Sequence, residues 1–298
     1  MSDIKNVAMI TVCGRPNVGK SSLTNALVGE KVAIVSNKAQ TTRNRIYGVV
    51  ERGDTQFILL DTPGLHKPRH ALGEYMVKVV TASLSDVDCA LLLVEPIAHV
   101  GAPEQALIDR IREEKLPCIL CINKIDTVEP SALLPVIAAY NEAWDGFDAI
   151  LPISAHTGAG LEELMGELRK YAQESPRLFP EGQTSDQPER QMMGEIIREK
   201  LLRTLNKEIP HGTAVVIEEF KEEKNIIRIR AEIFCEKASH KGIIVGKNGA
   251  ALKLVGTYAR EDLEKFLGTK VYLNLWVKVK ENWRESAATV GNFGYRDE

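Results

Sequence analysis

A chain of 298 residues that is 44% hydrophobic and 27% charged can bury more than one core, and its length favours two domains over one. No apolar stretch follows Met1-Ser2-Asp3-Ile4-Lys5-Asn6, and the longest apolar run, Cys89 to Val94, is stopped by Glu95 and Pro96, which argues against secretion and against membrane spanning. The five cysteines, an odd number scattered through strand-like and helix-like segments, suit reduced thiols in the cytoplasm.

In chain order, apolar runs at 7–12, 57–60, 89–94, 118–122 and 150–153 alternate with stretches of helical periodicity, which predicts a mostly parallel sheet covered on both faces. The runs at 46–51 and 55–60 are joined only by Arg52-Gly53-Asp54, too short for a parallel crossover, so one antiparallel edge strand is expected. Cys118 and Cys121 have CxxC spacing but stand in an apolar run without a second pair or a histidine nearby, and read as buried strand residues.

The first strand runs into Gly14-Arg15-Pro16-Asn17-Val18-Gly19-Lys20-Ser21, a complete GxxxxGK[ST], and then into a helical stretch beginning at Ser22. The glycines let backbone N–H groups surround phosphates, and the helix N-terminus adds a favourable dipole. Lys20 supplies charge to the β- and γ-phosphates, while the Ser21 hydroxyl suits Mg²⁺, a hard cation that prefers oxygen. Gln40-Thr41-Thr42-Arg43 lies where a threonine would close over Mg²⁺ and the γ-phosphate. Thr42 is the first choice there and Thr41 the alternative. In Asp61-Thr62-Pro63-Gly64, at the end of a strand, Asp61 would hold Mg²⁺ through water and the Gly64 N–H would meet the γ-phosphate.

Asn123-Lys124-Ile125-Asp126 follows the run ending at Ile122, at the carboxyl end of a strand, where α/β sheets bind ligands. A carboxylate at Asp126 can accept from both the N1–H and the 2-amino group of guanine, and adenine offers no such pair of donors. Ser154-Ala155 can offer a backbone N–H to guanine O6. The motifs therefore imply GTP or GDP with Mg²⁺ as ligands, and they resemble the translation-factor-related class of small GTPases. Where Ras-like members of the superfamily carry a water-orienting glutamine, Leu65 stands here, so hydrolysis is expected to be slow unaided. The GxPNxGKS pattern with TTR resembles potassium-assisted GTPases, in which Asn17 would help to hold K⁺; Asn17 could equally stabilise the loop turn.

Residues 1–189 carry 18 Lys+Arg against 25 Asp+Glu, whereas 190–298 carry 20 against 16. Between them, ESPRLFPEGQTSDQPER has three prolines and no apolar periodicity, as expected of an exposed linker. Domain boundaries of 1–174, 175–190 and 191–298 follow. The second half reads α-β-β-α-α-β, with Gly246-Lys247-Asn248-Gly249 between two helical stretches. It resembles a KH domain of the second topological type, whose GxxG loop clamps single-stranded RNA backbone. Residues 241–280 hold eight Lys+Arg, among them Lys241, Lys247 and Lys253, against three acidic residues, which favours phosphate binding without base specificity.

The expected fold is thus an α/β P-loop GTPase domain, mostly parallel with one antiparallel edge strand, followed by an α+β type II KH domain. With KAQTTRNRI, Ser185-Asp186-Gln187-Pro188-Glu189-Arg190, GIIVGKNG and the ending Gly294-Tyr295-Arg296, the whole chain resembles the Era family of ribosome-assembly GTPases. The resemblance implies GTP hydrolysis and binding near the 3′ end of 16S rRNA during small-subunit maturation, by a cytoplasmic monomer at most peripherally associated with membrane and with RNA rather than DNA as partner. An RNA-binding GTPase acting on another RNA, an RNA-binding protein with a vestigial G domain and a P-loop kinase are the alternatives.

Overall fold

The computed structural model describes residues 4–64, 68, 70–206 and 209–295. The chain divides into two compact units, one of residues 1–33, 42–67 and 76–186, the other of 34–41, 68–75 and 187–298. The first is built on strands β1 (Asn6–Cys13), β2 (Ile46–Arg52), β3 (Thr55–Asp61), β4 (Cys89–Val94), β5 (Cys118–Ile122) and β6 (Ala149–Pro152), in the order β2-β3-β1-β4-β5-β6. β1 runs parallel to β3 and β4, β4 to β5, and β5 to β6, while β2 is antiparallel to β3. The sheet is therefore mostly parallel with one antiparallel edge, as the short connection at 52–54 predicts, and five strands end on the same side.

Helices α1 (Lys20–Val28), α2 (Ala71–Ala82), α3 (Ala102–Glu113), α4 (Leu133–Ala143) and α5 (Leu161–Leu168) follow strands in the manner of an α/β fold. β4 explains the uninterrupted apolar runs. Its Cys89, Leu91 and Leu93 enter a core with Leu23 and Leu27 of α1 and Leu164 and Leu168 of α5, while Ala90, Leu92 and Val94 enter another with Ile108 and Ile111 of α3 and Val136 and Tyr140 of α4. A strand covered on both faces has no polar face to alternate. Cys118 and Cys121 fall in opposite cores, so the pair cannot chelate one ion, and all five cysteines are free and buried.

A two-residue strand, β7 (Gln173–Glu174), pairs antiparallel with β1. Beyond it, the proline-rich segment that composition reads as an exposed linker is bound to the sheet as far as Asp186. Buried Gln56 accepts from the Leu178 and Phe179 N–H groups and donates to the Phe179 carbonyl at 2.9 Å. The Val49 N–H donates to the Thr184 carbonyl at 2.8 Å, and the Tyr47 N–H to Asp186 Oδ1 at 3.0 Å. An edge strand has unpaired backbone donors, and an irregular segment can satisfy them without any periodicity of its own.

The second unit contains α6 (Glu189–Thr204), β8 (Ala214–Glu223), β9 (Ile226–Cys235), α7 (Ala238–Val245), α8 (Ala250–Leu267), β10 (Val271–Val279) and α9 (Ala287–Asn292). Its sheet has the order β10-β9-β8, with β8 antiparallel and β10 parallel to β9. Met193, Ile196, Ile197 and Leu201 of α6 pack with Ile229, Ile233, Val255 and Leu263 beneath it. The same helix buries Arg198 and Glu199, which no apolar template anticipates. Segment 34–41 of this unit satisfies them. The Val35 N–H donates to Glu199 at 2.9 Å, and Arg198 donates to the Thr41 carbonyl and to Glu195. After β10, buried Trp283 donates from Nε1 to the Gly212 carbonyl at 2.9 Å, meets Phe293 edge-on and stacks with Tyr295.

Candidate functional site

Because five parallel strands end on one side, the loops after β1, β3, β4, β5 and β6 converge there. The loop after β1 turns through Asn17 and Gly19, both with positive φ (68° and 103°), into α1. Gly64 lies against it: a Cβ at that position would sit 2.6 Å from the Pro16 nitrogen, so only a glycine permits the approach. The segment Asp61–Gly64 and the phosphate loop are thereby in direct contact.

Lys20 is buried and donates to the carbonyls of Gly14, at 3.0 Å, and Arg15, at 2.9 Å. Burial pulls its ammonium down to about 8, with Asp61 acting in the opposite direction. An arriving phosphate would restore the charge by offering an opposite charge in the same pocket. Ser21 donates to Asp61 Oδ2 at 2.6 Å and lies 2.8 Å from the Thr42 hydroxyl. Ser21 spends its one proton on Asp61, so Thr42 donates to Ser21. Burial pushes the Asp61 carboxyl up to about 6, and its Oδ1 is buried without a hydrogen-bond partner. Two hydroxyls and an orphaned carboxylate oxygen are a donor set that suits a hard divalent cation, and Mg²⁺ fits it. Thr41, the alternative to Thr42, instead bonds to Ser36 and to the Lys38 carbonyl.

At the next loop, buried Asn123 donates to the Val18 carbonyl at 2.8 Å and accepts from the Ala155 N–H at 3.0 Å, tying three loops together. Lys124, in a left-handed conformation, donates to the Asn17 carbonyl at 2.7 Å and to Glu95 Oε1 at 2.6 Å. The buried Ser154 hydroxyl donates to Asp126 Oδ1 at 2.6 Å, and that bond holds the carboxyl below its usual range. Motif spacing points to the backbone of Ser154 and Ala155, yet it is the Ser154 side chain that aims Asp126. Sequence reasoning also treats Glu95 merely as the end of an apolar run. Its place at the carboxyl end of a parallel strand is the signal that marks it. Leu65 lies outside the described residues.

In the other unit, Gly246-Lys247-Asn248-Gly249 connects α7 to α8. Gly246 has φ 74°, and a Cβ there would meet the Ala251 Cβ at 2.7 Å. Lys241, Lys247 and Lys253 are exposed around the loop. Beside it runs a groove of about 330 Å³ whose lining includes Leu252, Lys253, Gly256, Arg260, Leu273 and Leu275. An apolar floor with cations at its lip suits stacked bases carrying phosphates along one side.

Residues 9–124 match the family described as 50S ribosome-binding GTPase, and residues 208–284 match the KH domain family. The chain is 48% identical over 288 residues to the GTPase Era of Clostridium kluyveri, covering 96% of this chain and 98% of that one. It is 47% identical over 292 residues to the GTPase Era of Clostridioides difficile, covering 97% and 98%. Among solved structures, Era in complex with MgGDPNP and nucleotides 1506–1542 of 16S ribosomal RNA superimposes with a TM-score of 0.95 at 39% identity, over 99% of this chain and all of that one. A variant of Aquifex aeolicus Era bound to GDP·AlF4⁻ gives a TM-score of 0.94 at 39% identity, over 98% of this chain and all of that one.

Proposed function

The chain belongs to the Era family of GTPases, and from that membership we propose that its GTP hydrolysis times the binding of a KH module to the 3′ end of 16S rRNA during small-subunit assembly. The observation that carries the RNA part is the Gly246–Gly249 loop, set beside an apolar groove and ringed by exposed Lys241, Lys247 and Lys253. The same RNA end is bound by the solved relative that superimposes over 99% of the chain.

On this reading the residues of the G domain act chiefly by position and charge. The backbone of Gly14, Arg15, Pro16, Asn17, Val18 and Gly19 encloses the phosphates, with Ser22 in the first turn of α1 behind Ser21. Lys20 gives up its two carbonyl partners for phosphate oxygens. Asn123 holds the loops in register, and Asp126, aimed by Ser154, reads the guanine edge. Ser21 and Thr42 directly, and Asp61 through water, would hold Mg²⁺, which supplies positive charge against the β- and γ-phosphates. The Gly64 N–H meets the γ-phosphate and loses that partner on hydrolysis, so the contact with Pro16 becomes sensitive to the nucleotide state. The exposed Asn17 carboxamide would offer an oxygen to K⁺, whose positive charge would serve the role that an arginine serves in other members of the superfamily.

We further infer a monomer working in the cytoplasm, with any membrane association peripheral; among the described residues no helix is long and apolar enough to cross a membrane. The test is a fluorescence titration of an RNA spanning the 3′ end of 16S rRNA against the protein loaded with GDPNP or GDP. Tighter binding of the GDPNP form is expected. Equal affinities would favour a vestigial G domain, and failure of this RNA with success of another would move the substrate elsewhere.

A further inference from the structure

Behind the nucleotide-binding loops, the first unit holds a chain of alternating charges running from a buried helix residue to the phosphate loop. Glu104 of α3 is buried and forms an ion pair with the Arg15 guanidinium. The other end of the same guanidinium donates to Glu95 Oε2 at 3.2 Å. Glu95 Oε1 accepts from Lys124 at 2.6 Å, and Lys124 donates on to the Asn17 carbonyl at 2.7 Å. The order is carboxylate, guanidinium, carboxylate, ammonium and backbone carbonyl. It starts on α3, passes the carboxyl end of β4 and finishes where base loop and phosphate loop meet.

Lys124 is a flexible side chain whose ammonium could take many positions, and ordering it costs rotamer entropy. Two acceptors 2.6 and 2.7 Å away fix it before any nucleotide arrives. Glu95 is itself fixed because Arg15 is fastened to Glu104, which is 2% exposed. We propose that Glu95 is a positioning residue for nucleotide binding: through Lys124 it locks the base loop onto the phosphate loop, so that guanine and phosphates are held by one preorganised body. The proposal rests on reading Asn123–Asp126 as the base loop. Glu95 touches neither base nor phosphate in this role, and its effect is on residence time. Simple electrostatics predicts the opposite sign. Removing a negative charge beside a phosphate site raises the attraction for a nucleotide, whereas removing a clamp releases it.

The experiment measures dissociation of a fluorescent GDP from the full chain and from Glu95→Gln, which keeps size and removes the charge. Dissociation about five- to tenfold faster, with association unchanged or slightly faster, is expected from the loss of a charged hydrogen bond in a partly exposed site. KM for GTP rises with it, and kcat falls by a smaller factor. Arg15→Met, which frees Glu95 without removing it, shifts dissociation the same way by about two- to threefold. In a Lys124→Met background, Glu95→Gln adds little, less than about twofold, because its partner is gone. Slower or unchanged dissociation in Glu95→Gln overturns the proposal, as does full additivity with Lys124→Met. If the parent chain fails to prefer GDP over ADP, the base-loop reading itself fails; if the parent discriminates and Glu95→Gln releases GDP as slowly as the parent, only the clamp fails.

Discussion

Ser21 donates its proton to Asp61 Oδ2 across 2.6 Å, and Asp61 Oδ1 is left buried with no hydrogen-bond partner. A carboxylate oxygen in that position costs free energy unless a cation or an ordered water meets it. Asp61→Asn keeps the shape and replaces that oxygen's charge with a dipole. GTP turnover at saturating Mg²⁺ is expected to fall at least about a hundredfold, the equivalent of several kcal/mol of charge stabilisation. Chelating Mg²⁺ from the parent should produce a loss of the same order. Thr42→Ala belongs with these because its hydroxyl reaches Ser21, whereas Thr41→Ala should leave the Mg²⁺ dependence of turnover nearly intact. A chelator-insensitive parent would contradict the donor set.

Asp126 is the second target, since the Ser154 hydroxyl both aims its carboxylate and holds its pKa below the usual range. Asp126→Asn replaces an acceptor of two guanine donors by a side chain that pairs better with xanthine. Competition binding should shift selectivity from guanine toward xanthine by roughly two decades, because the wrong base would cover the side chain and leave it without its hydrogen-bond partners. Ser154→Ala should weaken GDP binding by a smaller factor without changing which base is preferred. Unaltered guanine preference in Asp126→Asn would remove this residue from base recognition.

The motifs that were legible in the sequence are those whose partners lie within a few residues, or whose spacing alone puts them at a strand end. Gly14 to Ser21, Asp61 to Gly64 and Asn123 to Asp126 all stand on one edge because parallel strands bring them there, and alternating apolar runs carry that information. What stayed hidden depends on contacts distant in sequence. Glu95 acquires meaning only from Arg15 and Lys124, Arg198 and Glu199 only from the backbone of 34–41, and the proline-rich stretch at 175–186 only from the unpaired donors of β2 and the buried Gln56. No local periodicity records a partner eighty or more residues away, as from Arg15 to Glu95.

The end of the chain offers a stability test. Trp283 is 1% exposed, its indole N–H is bonded to the Gly212 carbonyl, and its ring meets Phe293 and Tyr295. Trp283→Ala removes a large buried ring and leaves that carbonyl without its donor. Urea denaturation should show the KH unit destabilised by about 3–5 kcal/mol, the usual range for a buried tryptophan. A change under about 1 kcal/mol would mean that residues 281–295 are an appendage rather than part of the core.

Asn17 stands at φ 68° with its carbonyl held by Lys124 and its side chain exposed, and the proposed K⁺ role of its carboxamide is open to a direct test. Turnover in K⁺ should exceed that in Na⁺ by about tenfold, short of the roughly 10³–10⁵ of an arginine finger because a monovalent ion is more weakly held. Asn17→Ala should abolish the difference between the two salts. Equal parent rates in K⁺ and Na⁺ would leave Asn17 with a purely structural role in the loop.

Gly246 decides the RNA side. Its φ of 74° disfavours any side chain, and a Cβ would press on the Ala251 Cβ at 2.7 Å. Gly246→Asp therefore distorts the turn and also places a negative charge where a phosphate would approach. Binding of the 16S 3′ RNA is expected to vanish, but a misfolded loop would give the same result. Lys247→Ala separates the two causes, because Lys247 is exposed and removing it strains nothing. If the loop holds phosphates, this variant keeps its melting temperature, binds RNA more weakly at low salt, and reduces the magnitude of the slope of log affinity against log salt by about 0.7, the share of one contact on a single strand. If the loop is only a helix connection, Lys247→Ala leaves both affinity and slope where they were, whatever Gly246→Asp does.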